Sequence, residues 1–330
     1  MFLGIAIGDA LGMPVETMSL EQIAEKYGRM NRYIRPDGHK WFNGREAGTW
    51  TDDTQLSLVV AESLIACHGL DMDDMAKRHA QALNEDDLGW GGSTREAVKK
   101  LARGIHWSQS GITDNPRRGR GNGVAMKASP IGAFLTAKYG QDAWLQQIEE
   151  TRRDIRAFAQ MTHATSMAVE SAYAQIFAIS QLLQSSPEEI DWDYFANLPG
   201  FGAILSEIQC RGDKHPEKLF DRLNLLVDLD FTKKSNEEIR DLFGGGTCYV
   251  YDSLPFSYAF FLRNPHSIET LYDVASAGGD TDTNASMVGA LIGALHGEEI
   301  FPKNLVRELW RVEEILDVAE RFTKTFAIPE

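Results

Sequence analysis

The sequence predicts an all-α protein. Apolar residues recur at helical spacing along most of its 330 residues, runs of alternating β-branched residues are scarce, and glycine-containing loops separate the periodic segments. Roughly a dozen or more helices are expected from this texture. The first is apolar and carries Gly4, Gly8 and Gly12 at intervals of four. Val59, Val60, Leu64 and Ile65 mark a helix after Thr54, and a further helix is expected to start near Val124. Ile176, Phe177, Ile179, Leu182 and Leu183 mark one face of a helix beginning near His163. Tyr249 to Tyr251 is the only short strand candidate. Gly289, Gly293 and Gly297 repeat the four-residue interval in a late helix, and Leu305 to Phe322 carries a last apolar face. Residues four apart share a helix face, so each glycine series forms a smooth strip. Glycine costs about 1 kcal/mol against alanine inside a helix, and close backbone approach by a neighbour is the expected compensation. Tight packing alone accounts for the strips; the sharper reading puts these helices at the centre, with a site at their ends.

Composition narrows the classes. Lys and Arg number 33 against 48 Asp and Glu, a formal net charge of −15, whereas nucleic-acid binding needs clustered cations. No apolar run reaches about 18 residues, so no membrane span is expected. Met1 to Val15 lacks a basic flank and is interrupted by Asp9, so it reads as part of the fold. Cys67, Cys210 and Cys248 lie too far apart for a zinc motif and suggest a reducing cytoplasm. The length allows two domains, but no Pro/Ser-rich linker interrupts the chain, and a single domain over 1–330 is expected. A monomer is the default. Arg29 to Gly48 and Ser108 to Gly121 are the longest non-periodic stretches, and loops of that length are often functional.

Three segments carry chemistry: Gly8-Asp9-Ala10-Leu11-Gly12-Met13-Pro14-Val15-Glu16, Thr51-Asp52-Asp53-Thr54 and Gly278-Gly279-Asp280-Thr281-Asp282-Thr283. The last two each precede a helix. Helix capping explains one Asp or Thr at such a place, and Asp52 with Gln55 would make a capping box. It does not explain paired carboxylates and paired hydroxyls at both starts. Carboxylates crowded this way raise one another's pKa unless a cation lies between them, and hard divalent ions take such oxygen ligands. If the two starts converge, Asp52, Asp53, Asp280 and Asp282 balance two divalent ions. An EF-hand over Asp280, Asp282 and Asn284 fails, because Ala285 and Leu291 stand where Gly and Glu are required.

On these segments the chain resembles the ADP-ribosylglycohydrolase family. Gly8 to Glu16 looks like its G-D-A-x-G-x-P-x-E motif, Trp50 to Thr54 resembles its T-D-D-T motif, and Gly278 to Thr283 its G-G-D-T-D-T motif. Weaker matches are Gly121-Asn122-Gly123 with Ala125-Met126-Lys127, and Thr162-His163. The motifs follow in family order over nearly the whole chain. The resemblance implies a compact orthogonal multi-helix bundle around a central dinuclear metal site. One Mg²⁺ or Mn²⁺ would be held by Thr51, Asp52 and Asp53, the other by Asp280 and Thr283. Asp282 would bridge them and Glu16 would stand at the edge. It further implies hydrolysis of the bond between ADP-ribose and a protein side chain, with Asp52 or Asp53 as base. The motif pattern looks closer to the arginine-specific microbial branch than to the serine-specific one.

Substrate contacts are expected from Gly121, Asn122 and Gly123, whose bare backbone suits a pyrophosphate, and from His163. Tyr249 and Tyr251 could stack on adenine or simply belong to the core. Arg117, Arg118 and Arg120 read either as a solvated loop or as a guide for the anionic ligand. The family usually has Arg where Lys127 stands, which leaves an anion contact there in doubt. Glu21 to Gly48 would match a mobile flap. Against the hydrolase stand two rivals: a hydrolase of an O-linked serine or small-molecule conjugate, and a non-catalytic family member.

Overall fold

The computed structural model describes residues 1–140, 148–205 and 218–326. It is all-α, as expected. The helices are α1 (Phe2–Gly12), α2 (Leu20–Tyr27), α3 (Asp52–Cys67), α4 (Met72–Glu85), α5 (Gly92–Leu101) and α6 (Trp107–Ser110). There follow α7 (Ser129–Tyr139), α8 (Ile148–Gln160), α9 (Ser166–Leu182), α10 (Trp192–Leu205), α11 (Leu219–Leu223) and α12 (Leu225–Asp228). The chain closes with α13 (Asn236–Leu242), α14 (Val250–Arg263), α15 (Glu269–Ala275), α16 (Thr281–His296), α17 (Lys303–Glu308) and α18 (Val312–Phe326). None of the described helices is long and apolar enough to cross a membrane. Cys67 and Cys248 are free thiols, and Cys210 lies outside the described residues.

The centre is the pair α1 and α16, both buried along nearly their whole length. A Cβ built on Gly4, Gly8 or Gly12 would lie 1.9, 2.1 and 2.2 Å from the carbonyl oxygens of Gly289, Ala285 and Thr281 respectively. Two backbones therefore touch over three successive turns. The strips compensate their propensity cost through this contact. A Cβ on Gly289 would in return lie 2.0 Å from Gly4 O. Gly297 does not take part: it caps α16 in a left-handed conformation with nothing near it. Thr281 Oγ1 donates to Gly12 O at 2.8 Å and fixes the register where the two helices reach the site.

Four local expectations need correction. The helix placed near His163 starts at Ser166, where Thr165 Oγ1 accepts from Ala168 N. Leu305 to Phe322 is two helices, because residues 309–311 turn aside to bond elsewhere. Trp310 N donates to Gly48 O, Trp50 Nε1 donates to Trp310 O, and Arg311 adopts φ +53°. Tyr249 to Tyr251 is no strand: Tyr249 makes one isolated bridge to Gly121 and then caps α14. The helix placed near Val124 begins as a 3₁₀ turn, Ala125–Lys127, and α7 follows it. The stretch from Ser108 also proves partly helical, within α6.

In a free helix, Gly8→Ala would stabilise by about 1 kcal/mol. Here the added methyl meets the Ala285 carbonyl, and overpacking of this kind costs about 1–3 kcal/mol. A lowered thermal midpoint is expected for Gly8→Ala, with Gly297 left unchanged as reference; a raised midpoint would contradict the contact.

Candidate active site

Three chain segments meet where α1 ends. The 3₁₀ turn Met13–Val15 delivers Glu16, the N-terminus of α3 delivers Thr51, Asp52 and Asp53, and the N-terminus of α16 delivers Asp280, Asp282 and Thr283. Glu16 is held in place by the turn that follows it. Thr17 N donates to Gly279 O at 2.8 Å, and Gly279 N donates to Met18 O at 3.1 Å. Gly279 has φ +84°, and a Cβ there would lie 2.3 Å from Gly245 O, so the position requires glycine.

Capping of α3 falls to a residue from another helix. Thr51 occupies the N-cap but its side chain makes no cap bond. Asp9, fully buried on α1, accepts instead from Thr51 N at 2.9 Å, Thr54 N at 3.0 Å and Thr54 Oγ1 at 2.6 Å. The expected Asp52–Gln55 capping box is therefore absent; Gln55 bonds Asp86 O and Trp90 Nε1. Capping from outside leaves the carboxylates of Asp52 and Asp53 unused by their own helix.

The site residues named from the sequence do come together. Glu16, Asp280 and Asp282 each bring one carboxylate oxygen to within 4.8 Å of the others. Asp53 Oδ2 accepts from Thr283 Oγ1 at 3.1 Å and from Thr51 Oγ1 at 3.4 Å. Asp52 Oδ2 accepts from Gly91 N at 3.3 Å, Asp280 Oδ2 from Asn122 Nδ2 at 2.6 Å, and Asp282 Oδ1 from Thr283 N at 2.9 Å. Asp53 Oδ1 is buried with no hydrogen-bond partner. A buried carboxylate oxygen without a donor is costly, and a hard cation is what the surrounding oxygens fit.

Electrostatics agree. Burial, then the charges of Asp280, Asp52 and Asp9, push the Glu16 carboxyl up to about 8. Burial and Asp9 push Asp52 up to about 7. Burial first, and then the neighbouring acids, holds Asp53 and Asp282 well above the ordinary carboxylate range. The nearby buried cation is Lys127, whose charge acts on Asp52 while its own burial lowers it to about 7.

A cavity of about 610 Å³ opens over the acids. Gly121, Asn122, Gly123, His163 and Tyr249 all line it, as do Arg117, Arg118 and Arg120. Asp52 lines it too, whereas Asp53 lies beneath. Tyr251 does not reach the cavity and stacks on Tyr249 at 5.7 Å between ring centres. Arg120 packs over the Tyr249 ring and donates to its hydroxyl. Lys127 is fully buried and does not line the cavity; its Nζ donates to Thr162 Oγ1 at 3.1 Å. Of the segment from Glu21 to Gly48, Trp41 reaches the rim, 52% exposed. Its flanks are pinned by Arg29 to Glu269 and Asp273, and by Tyr33 Oη to Leu305 O.

Sequence reasoning missed Asp9 as the cap and missed one whole wall, from Gly89 to Arg95 at the start of α5. Gly89, Gly91 and Gly92 within four positions were the available signal. Gly92 lets the Arg118 guanidinium lie against the backbone: a Cβ there would lie 1.7 Å from Nη1 and displace that side chain.

A family model described as ADP-ribosylglycohydrolase matches residues 1–329. The chain is 28% identical to ADP-ribosylhydrolase ARH3 of Mus musculus, over 98% of this chain and 90% of that protein. It is 24% identical to ADP-ribosyl-[dinitrogen reductase] glycohydrolase of Rhodospirillum rubrum, over 93% and 88%. Among solved structures, a chain of an ADP-ribosylglycohydrolase-related protein complex superposes with a TM-score of 0.65 at 25% identity, covering 98% of this chain and 95% of its own. With its acidic helix starts and cavity arranged as above, and the family model spanning it end to end, the chain belongs to the ADP-ribosylglycohydrolase family.

Proposed function

We propose that this enzyme is a metal-dependent hydrolase that releases ADP-ribose from modified protein side chains. The arginine N-glycosidic bond is assigned from the motif pattern, with an O-linked serine conjugate as the alternative. The observation that carries the reading is the convergence of five buried aspartates and Glu16 under one cavity, with Asp53 Oδ1 unpartnered.

Mg²⁺ or Mn²⁺ would be held by Thr51, Asp52, Asp53, Asp280, Asp282 and Thr283, with Glu16 at the edge; two ions balance the four aspartates among them. When bound, such ions polarise substrate oxygens and lower the pKa of water. The chain's own groups do the rest. Asp52 lines the cavity and Asp53 does not, so Asp52 is assigned as the base that accepts a proton from the attacking water. The carboxylates stabilise the positive charge that develops on the ribose as the side chain departs. Gly121, Asn122, Gly123, His163 and Tyr249 bind ADP-ribose, and Arg117 and Arg118 at the mouth draw in its diphosphate. Asn122 also holds Asp280, so ligand and metal residues share one support.

Asp52→Ala and Asp282→Ala are each expected to lower turnover by at least about 100-fold while leaving the helical circular dichroism unchanged. The assay is ADP-ribose release from matched arginine-linked and serine-linked peptides, with Mg²⁺, Mn²⁺ or chelator. Release that persists in chelator, or in both variants, defeats the mechanism. If neither peptide is cleaved while ADP-ribose still binds, the chain is a binding member of its family.

A second expectation follows from the raised carboxyl groups. Asp52 and Glu16 titrate in the folded chain at about 7 and about 8, above their ordinary 3.8 and 4.5. Folding therefore takes up protons between about pH 4 and pH 8, and metal-free protein loses stability as pH rises through that window. Bound metal replaces those protons and offsets the loss. The gain in thermal midpoint on adding Mn²⁺ should grow from about pH 5 to about pH 8, and a flat or falling gain would speak against a carboxylate site.

A further inference from the structure

We propose that Lys127 and Thr162 are positioning residues that fix the tautomer of His163, so that its Nε2 presents an N–H donor to the cavity. The proposal rests on reading that cavity as an ADP-ribose site.

The direction of the hydrogen bonds carries the argument. Lys127 Nζ donates to Thr162 Oγ1 at 3.1 Å, and Thr162 Oγ1 stands 3.0 Å from His163 Nδ1. Below about pH 7 Lys127 is an ammonium group, which has donors only, so the Thr162 oxygen accepts from it. The hydroxyl's one proton has no other acceptor among the described residues, so it is directed to His163 Nδ1, which is then bare. A neutral imidazole with a bare Nδ1 carries its hydrogen on Nε2. Burial, followed by the charge of Lys127, lowers His163 to about 3, so the ring stays neutral across the physiological range. All three residues are buried, and a buried chain of this kind is ordered by its end members.

Nε2 is the free end. His163 is only 2% exposed, yet it lines the cavity, and Nε2 makes no hydrogen bond among the described residues. The loop beside it is bare: Cβ atoms on Gly123 and Gly121 would lie 3.4 and 4.0 Å from Nε2. An N–H at this point suits an oxygen acceptor, either a phosphate oxygen or a ribose hydroxyl. Lys127 itself never reaches the cavity and acts only through Thr162.

The test reads the tautomer directly. Nitrogen-15 spectra of the full chain with labelled histidine, at about pH 6, place Lys127 in its ammonium form and His163 in its neutral form. The His163 signals are identified by their loss in His163→Gln. The Nε2–H tautomer is expected in the native chain. Thr162→Val should lose it and weaken ADP-ribose binding, measured by calorimetry, roughly 10-fold, while Thr162→Ser restores both. An Nδ1–H tautomer in the native chain overturns the proposal, and that reading needs no variant to fold. An unchanged tautomer in Thr162→Val also overturns it. If Nε2–H is found but the native chain binds no ADP-ribose, the relay stands and the ligand reading falls.

Discussion

Backbone contact between α1 and α16 is the constraint on which the rest of the structure depends. Gly4, Gly8 and Gly12 place three carbonyls of α16 where any side chain would collide. Such an approach fixes the helices in register as well as in distance. Thr281 and Gly12 sit at the end of this register, Thr281 next to Asp282 and Gly12 four residues before Glu16. Loosening the pair would separate the donors of the acidic site directly, because two of its three segments are the ends of these helices.

Within the site the carboxylates divide by how their oxygens are used. Asp9 accepts three close bonds from the start of α3 and is satisfied by protein donors alone. Asp53 shares one oxygen between two threonine hydroxyls and leaves the other without a donor. The first carboxylate exhausts its acceptors on the fold, and the second retains one oxygen unused. Asp9 also adds negative charge behind Glu16, Asp52 and Asp53, and so deepens the attraction for a cation.

Much of this was legible in the sequence, for reasons that differ by residue. The acidic segments were readable because two carboxylates and two hydroxyls exceed what one helix start can use. The glycine strips were readable from spacing, although Gly297, in register with the others, stands outside the contact in the fold. What was not legible depends on partners distant in sequence. Local capping rules point to Gln55, whereas Asp9, 42 residues from Thr51, takes the bonds. Periodicity runs through Leu309 to Arg311, yet Gly48 and Trp50 draw that stretch out of the helix. Lys127 could be read in the sequence only as a motif position facing an anion, and its burial follows from the packing of Phe158 and Thr162 around it.

The separation of the site's segments also bears on synthesis. Gly12 and Thr281 touch across 269 residues, and every carboxylate from α1 and α3 leaves the ribosome long before its partners on α16. Closing so long a loop is slow and entropically costly, and it comes last. Through most of elongation the nascent chain therefore carries Asp9, Glu16, Asp52 and Asp53 in separate, hydrated surroundings with little hold on a divalent ion. Assembly of the acidic cluster and completion of the central helix pair become one late event, so a chain interrupted before Thr281 is released without that cluster.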